Sequence, residues 1–283
     1  MSDANTGATS YGIFSHSLRT VTANIGVAFA IFWPWALVGL ALMAAGLAVF
    51  GLPDFANLKN QGLENQRAMA NLDMMHLLGN IVQIIVGSSI AVNWHRFVLL
   101  DEIPQTLAER LRIDRLVLRY AGNTILIVLL FFAVAFMAMA LTVFVIMAGF
   151  SVTPAEPPSP GSIMLLVLGG LVLMVFLTTV MMRMMVKLPA VALGRSDYGI
   201  RQALADTRGS SLTILGMVIL TILLSFGVML AAVMAVAFIA SISPVAAMLL
   251  AISAYMVFVW FFTIFTVSQL TTLYGVYAEG REV

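Results

Sequence analysis

The stretch ILIVLLFFAVAFMAMALTVFVIMAG, residues 125–149, carries no charge and a single hydroxyl. Crossing about 30 Å of hydrocarbon takes roughly 20 residues of helix, and this run exceeds that. In lipid no water satisfies the backbone, so only helices and closed barrels span. The run is continuously apolar, not alternating, which selects a helix over a barrel strand. Five more such runs follow the same logic. Spans are predicted near 24–50, 74–99, 120–149, 162–187, 211–240 and 244–273. The fold class is therefore all-α and polytopic, with six transmembrane helices. Composition agrees: 10% of residues are charged, against about 25% in soluble domains. The first run is too long for a cleavable signal, and a second span follows it.

Positive charge orients the bundle. Arg96, Arg110, Arg112, Arg115 and Arg119 fall between spans two and three. Arg183, Lys187, Arg195, Arg201 and Arg208 fall around the loop between spans four and five, and Arg19 and Arg281 flank the termini. Lys59 and Arg67 alone lie on the other side. The positive-inside rule predicts both termini in the cytoplasm. The chain divides into a cytoplasmic N-terminus with an amphipathic helix (1–23), one membrane domain (24–273) and a cytoplasmic C-terminus (274–283). A net charge of +1 argues against a nucleic-acid partner. Of the outer loops, 51–73 reads as polar and irregular, and the proline-rich 150–162 as a stiff, extended linker. The turn SISPV (241–245) is so short that spans five and six are expected to be antiparallel neighbours.

Each odd-numbered span has a mixed-polarity lead-in: YGIFSHSLRTV (11–21), QTLAERLRIDRLVLR (105–119) and DYGIRQALADTRG (197–209). Tyr-Gly-Ile at 11–13 recurs at 198–200. The pattern reads either as three parallel hairpin repeats, each with an interfacial helix, or as the division any six-span chain shows. In the first reading the lead-ins lie with apolar faces in the acyl boundary.

Catalytic signatures are missing from the sequence. There is no P-loop, no G-x-S-x-G, no H-E-x-x-H and no Cys. Neither a metal, a cofactor nor a catalytic residue is expected. His95 and Arg96 stand near Asp101 and Glu102, but at a predicted membrane edge. There Trp94 reads as an interfacial anchor, with His95 and Arg96 facing lipid phosphates. Deeper in the same span, His76, Asn80, Gln83 and Gly87 fall within about 60° on a helical wheel, and Trp94 continues the line. This polar stripe reads as interhelical hydrogen bonding or as a water- or ligand-lined path. Arg183 and Lys187, four residues apart, read as snorkelling cations or as a shared contact for anionic lipid or substrate. Pro34 is expected to kink span one.

The amphipathic lead-in before span one and the span-four exit KLPAVALGRSDYGIRQALADTRGSSLTILG (187–216) carry a resemblance. The pattern resembles six-span bacterial inner-membrane proteins of unassigned function, similar to the membrane domain fused to some glycerophosphodiester phosphodiesterases. The resemblance implies a bacterial inner-membrane location and supplies no catalytic residue, because none belongs to that membrane domain. Two functions stand ahead of a third, a membrane enzyme acting on lipid at the inner face through His95, for which the sequence supplies no placed partner. One is a non-enzymatic module contacting membrane lipids, a protein partner or a second copy of itself. The other is a small-solute transporter or channel using the polar face of span two, although no carboxylate is expected in mid-membrane to couple it to an ion.

Overall fold

The computed structural model describes residues 8–50, 63–149 and 159–282. Among them ten helices form and no strand: α1 (Ser10–Ala23), α2 (Ile25–Phe50), α3 (Leu63–Leu100), α4 (Leu107–Arg110), α5 (Arg115–Gly149), α6 (Pro160–Met185), α7 (Lys187–Ala192), α8 (Ile200–Asp206), α9 (Ser211–Ala240) and α10 (Pro244–Glu279). Six stretches are long and apolar enough to cross a membrane, so the chain is a multi-pass membrane protein.

Local chemistry explains several boundaries. The Thr9 hydroxyl caps α1 by accepting from the Gly12 amide at 2.9 Å. Asp114 accepts from the Leu116 and Val117 amides at 2.9 and 3.0 Å and so starts α5. Ser243 caps α10, with Pro244 in its first turn, where the missing N–H costs nothing. At the far end Gly280 takes a left-handed φ of 68° and stops the helix.

The hairpins α2–α3, α5–α6 and α9–α10 pack as neighbours, and α3–α5, α3–α10 and α6–α9 contacts join them. The short α9–α10 turn does enforce antiparallel packing. Helix α7 wedges among α3, α5 and α10, while α1 lies across α9 and α10. The buried core therefore sits at the end that carries α1, α4, α7 and α8. Trp94, Val117, Leu188 and Phe265 belong to it, each at most 2% exposed. Toward the other end the spans present bare apolar side chains, such as Phe136 at 77% and Val172 at 72%. Lipid tails cover such surface as well as protein does, so no core needs to form there.

Several expectations are corrected. Residues 63–73 are not irregular but extend α3 outward; residues 51–62 and 150–158 lie outside those described. Glu64 and Asp73 consequently belong to a helix and not to a loop. Span four does not simply end near 187: the helix breaks at Val186 and restarts as α7, whose residues Leu188 to Ala192 are all buried. The three lead-ins hold helices of unequal length: 14, 4 and 7 residues. Helix α1 does not offer its apolar face to acyl chains. It buries Ile13, Ser17 and Val21 against the bundle, with Phe14 edge-on to Phe265 at 5.4 Å.

Candidate functional site

The first feature is a buried polar layer at the α7 end of the bundle. His95 is 0% exposed. Its Nδ1 lies 2.8 Å from Thr271 Oγ1 and its Nε2 lies 3.2 Å from the Tyr120 hydroxyl. Thr271 Oγ1 donates its own proton to the Val267 carbonyl at 2.9 Å. It must therefore accept from His95 Nδ1–H, which leaves Nε2 to accept from Tyr120. One ring thus clasps α3, α5 and α10. Beside it Asn93 donates to the carbonyls of Glu109 and Arg110, both at 3.1 Å, which holds α4 against α3. Ser17 donates to Thr272 at 3.0 Å, and Ser268 to the Ser17 carbonyl at 3.2 Å. These bonds fix α1 on α10.

Trp94 and His95 are therefore not interfacial groups facing headgroups. Trp94 is 0% exposed and tilted against Phe97 at 5.5 Å. The reason is α7, which packs among α3, α5 and α10 and buries this part of α3 with Leu188, Val191 and Ala192. Arg96 does not face phosphates either. Its guanidinium meets the Glu102 carboxylate twice at 2.7 Å and donates to the Ala192 carbonyl at the end of α7 at 3.2 Å. Asp101, with φ 56°, takes the left-handed turn that brings Glu102 back over Arg96.

The paired cations of span four are separated. Arg183 donates to Thr207 Oγ1 at 3.0 Å, Ser211 Oγ at 3.2 Å and the Leu204 carbonyl at 2.8 Å, which binds α6 to α8 and α9. Lys187, across the helix break, instead donates to Asn123 Oδ1 on α5. They do not form one shared anion contact. Nearby on the same end, Tyr198 donates to Asp206 at 2.9 Å. Burial and that carboxylate push its hydroxyl pKa well up, so it stays a donor. Burial and the neighbouring Arg19 hold His16 below its ordinary value, so at neutral pH it adds little to the positive end.

The second feature is an open-sided groove of about 490 Å³ between α2 and α3. Gly39, Leu42, Met43 and Gly46 line it from α2, and Gly79, Val82, Gln83 and Val86 from α3. Trp35 closes one end by donating to Ser89 at 3.1 Å. A side chain placed at Gly39 or Gly79 would meet nothing within 4 Å, so these glycines open the space. Of the predicted stripe, Gln83 lines this groove and Asn80 is exposed one turn along the same helix; Gly87 is half-buried just beyond Val86. The side chain of His76 lies outside those described. Hydropathy does not single out Gly39 and Gly46, although their spacing of seven puts them on one face. Comparison with known proteins returns nothing: no family model matches this chain, nor does any curated protein or solved structure.

Proposed function

We propose that this chain is a non-enzymatic integral protein of the bacterial inner membrane, with both termini cytoplasmic, that holds phospholipid against its surface. The α2–α3 groove carries the reading. Its lining is apolar, as an acyl chain requires, yet the amides of Asn80 and Gln83 have no hydrogen-bond partner among the described residues. An amide facing hydrocarbon with nothing to bond is costly. A phospholipid supplies both halves of what is missing. Its chain fills the groove, and its ester carbonyls accept from the amide N–H groups. The charge asymmetry of the sequence supports the orientation. Transport of a small solute would instead need Asn80 and Gln83 to wall an enclosed path, but the groove that Gln83 lines is open on one side and Asn80 is exposed beyond it.

The test is photo-crosslinking with a phospholipid that carries a reactive acyl chain. Label is expected on peptides containing residues 35–46 and 78–86. Gly79→Leu starts from a position where a Cβ meets nothing within 4 Å, projects into the groove, and is expected to lower that labelling by about tenfold, a loss worth roughly 1.4 kcal/mol of binding. Equal labelling in wild type and variant would overturn the reading.

A further inference from the structure

A second surface combines charge with grease in the order of a lipid molecule. Arg115 and Arg119 are exposed on α5, and among the described residues neither has a carboxylate or hydrogen-bond partner for its side chain. The nearest acid in sequence, Asp114, is taken by Arg112 at 2.7 Å and by the two amides it caps. Arg115 also stands in the first turn of α5, where the helix dipole disfavours a cation unless an anion lies near. One turn beyond Arg119, Asn123 receives the Lys187 ammonium from α7. That single acceptor leaves two N–H groups of Lys187 unused. Three cations are thus set within about two helical turns, at the level where α5 enters and α6 leaves the apolar zone.

The same face of α5 continues in apolar side chains. At 100° per residue, Gly122, Leu126, Leu129 and Phe136 fall within about 60° of Arg115, and Gly122 and Leu126 within about 60° of Arg119 as well. The three apolar side chains are bare: Leu126 is 47% exposed, Leu129 61% and Phe136 77%. Anionic headgroup contacts therefore stand directly above a lipid-facing stripe.

We infer that Arg115, Arg119, Lys187 and Asn123 form a binding site for the phosphate of an anionic phospholipid in the leaflet at the α7 end, with its chains along Leu126 and Leu129. Arg115 and Arg119 meet the phosphate oxygens from α5. Lys187 meets them from α7, held in place by Asn123. The inference shares with the proposed function the premise that the chain holds lipid. Its site lies on another helix pair, so either can fail alone.

The full chain, purified in detergent, is titrated with phosphatidylglycerol and with phosphatidylcholine and followed by native mass spectrometry. Preference for the anionic lipid is expected. Each cation near the surface contributes about a fivefold factor, so Arg119→Gln with Lys187→Gln is expected to lower phosphatidylglycerol affinity by roughly 25-fold. Arg119→Gln alone, at an exposed position, is expected to lower it about fivefold and keeps the test sharp if the Lys187 change disturbs packing. Arg201→Gln with Arg208→Gln removes the same charge from exposed positions on and just after α8 and is expected to change little. An equal loss in that control pair, or unchanged affinity in Arg119→Gln, would overturn the site. Displacement of the lipid by millimolar inorganic phosphate would also overturn it, because the site would then take a free anion. Gly79→Leu should leave this affinity unchanged while emptying the α2–α3 groove.

Discussion

Replacing His95 with leucine is expected to destabilise the protein by about 2–4 kcal/mol, in thermal unfolding of the detergent-purified chain. The two side chains are similar in volume, so packing changes little. What is lost is the acceptor for Tyr120, which is only 4% exposed. A buried hydroxyl without a partner costs about 1–3 kcal/mol. Thr271 keeps its bond to the Val267 carbonyl and so suffers less. Tyr120→Phe removes the orphan. It is expected to cost about 1 kcal/mol in the wild type and to recover about 1–3 kcal/mol in the His95→Leu background, so the double-mutant cycle reports the coupling between the two side chains. A surface anchor would behave otherwise: its loss would fall within about 0.5 kcal/mol, with no coupling to Tyr120. That outcome would return His95 to the membrane edge where its sequence context first puts it.

Gly216→Leu is expected to undock α1. A Cβ built at Gly216 would run into the Ser10 hydroxyl and come within 2.9 Å of Ser10 Cβ. The hydroxyl can rotate away, but the Cβ moves only with the helix backbone. Gly216→Ala should cost about 1–3 kcal/mol as overpacking. Leucine adds three further carbons in the same space and forces the start of α1 off α9. The bonds of Ser17 to α10 and the Phe14–Phe265 contact are then lost with it. Trypsin cleavage after Arg19, an exposed residue of α1, reads this directly. The wild-type helix should resist, while Gly216→Leu should be cut at least tenfold faster, which corresponds to roughly 1.4 kcal/mol of docking lost. Cleavage at the wild-type rate would show that α1 does not depend on this approach.

These two experiments probe what hydropathy does not encode. Spans one and five were read at 24–50 and 211–240, and α2 and α9 occupy Ile25–Phe50 and Ser211–Ala240. Length and apolarity are properties of a segment, so a segment reveals them. The outward extension of α3 was missed because residues 63–73 are polar, and a polar helix standing on an apolar one has no period of its own to announce it. The break at Val186 was missed for a related reason. Residues 188–192 are apolar and look like the tail of a span, yet they form a separate helix, α7, buried among α3, α5 and α10.

The residues of the candidate sites follow the same division. That Asn80 and Gln83 share a face was legible, because helical spacing alone decides it. That Gln83 borders a groove depends on Gly39 and Gly46 of another helix. Arg183 and Lys187, four residues apart, were read as one pair, but the helix break between them sends one to α8 and α9 and the other to α5. Sequence by itself determined that six helices span, and the bias of its charges predicts which end faces the cytoplasm. Tertiary structure decided which apolar faces meet protein and which stay bare, and it placed Trp94 and His95 inside. The reason is physical. A lipid tail and a leucine side chain are equally apolar, so hydropathy cannot tell a face that meets one from a face that meets the other.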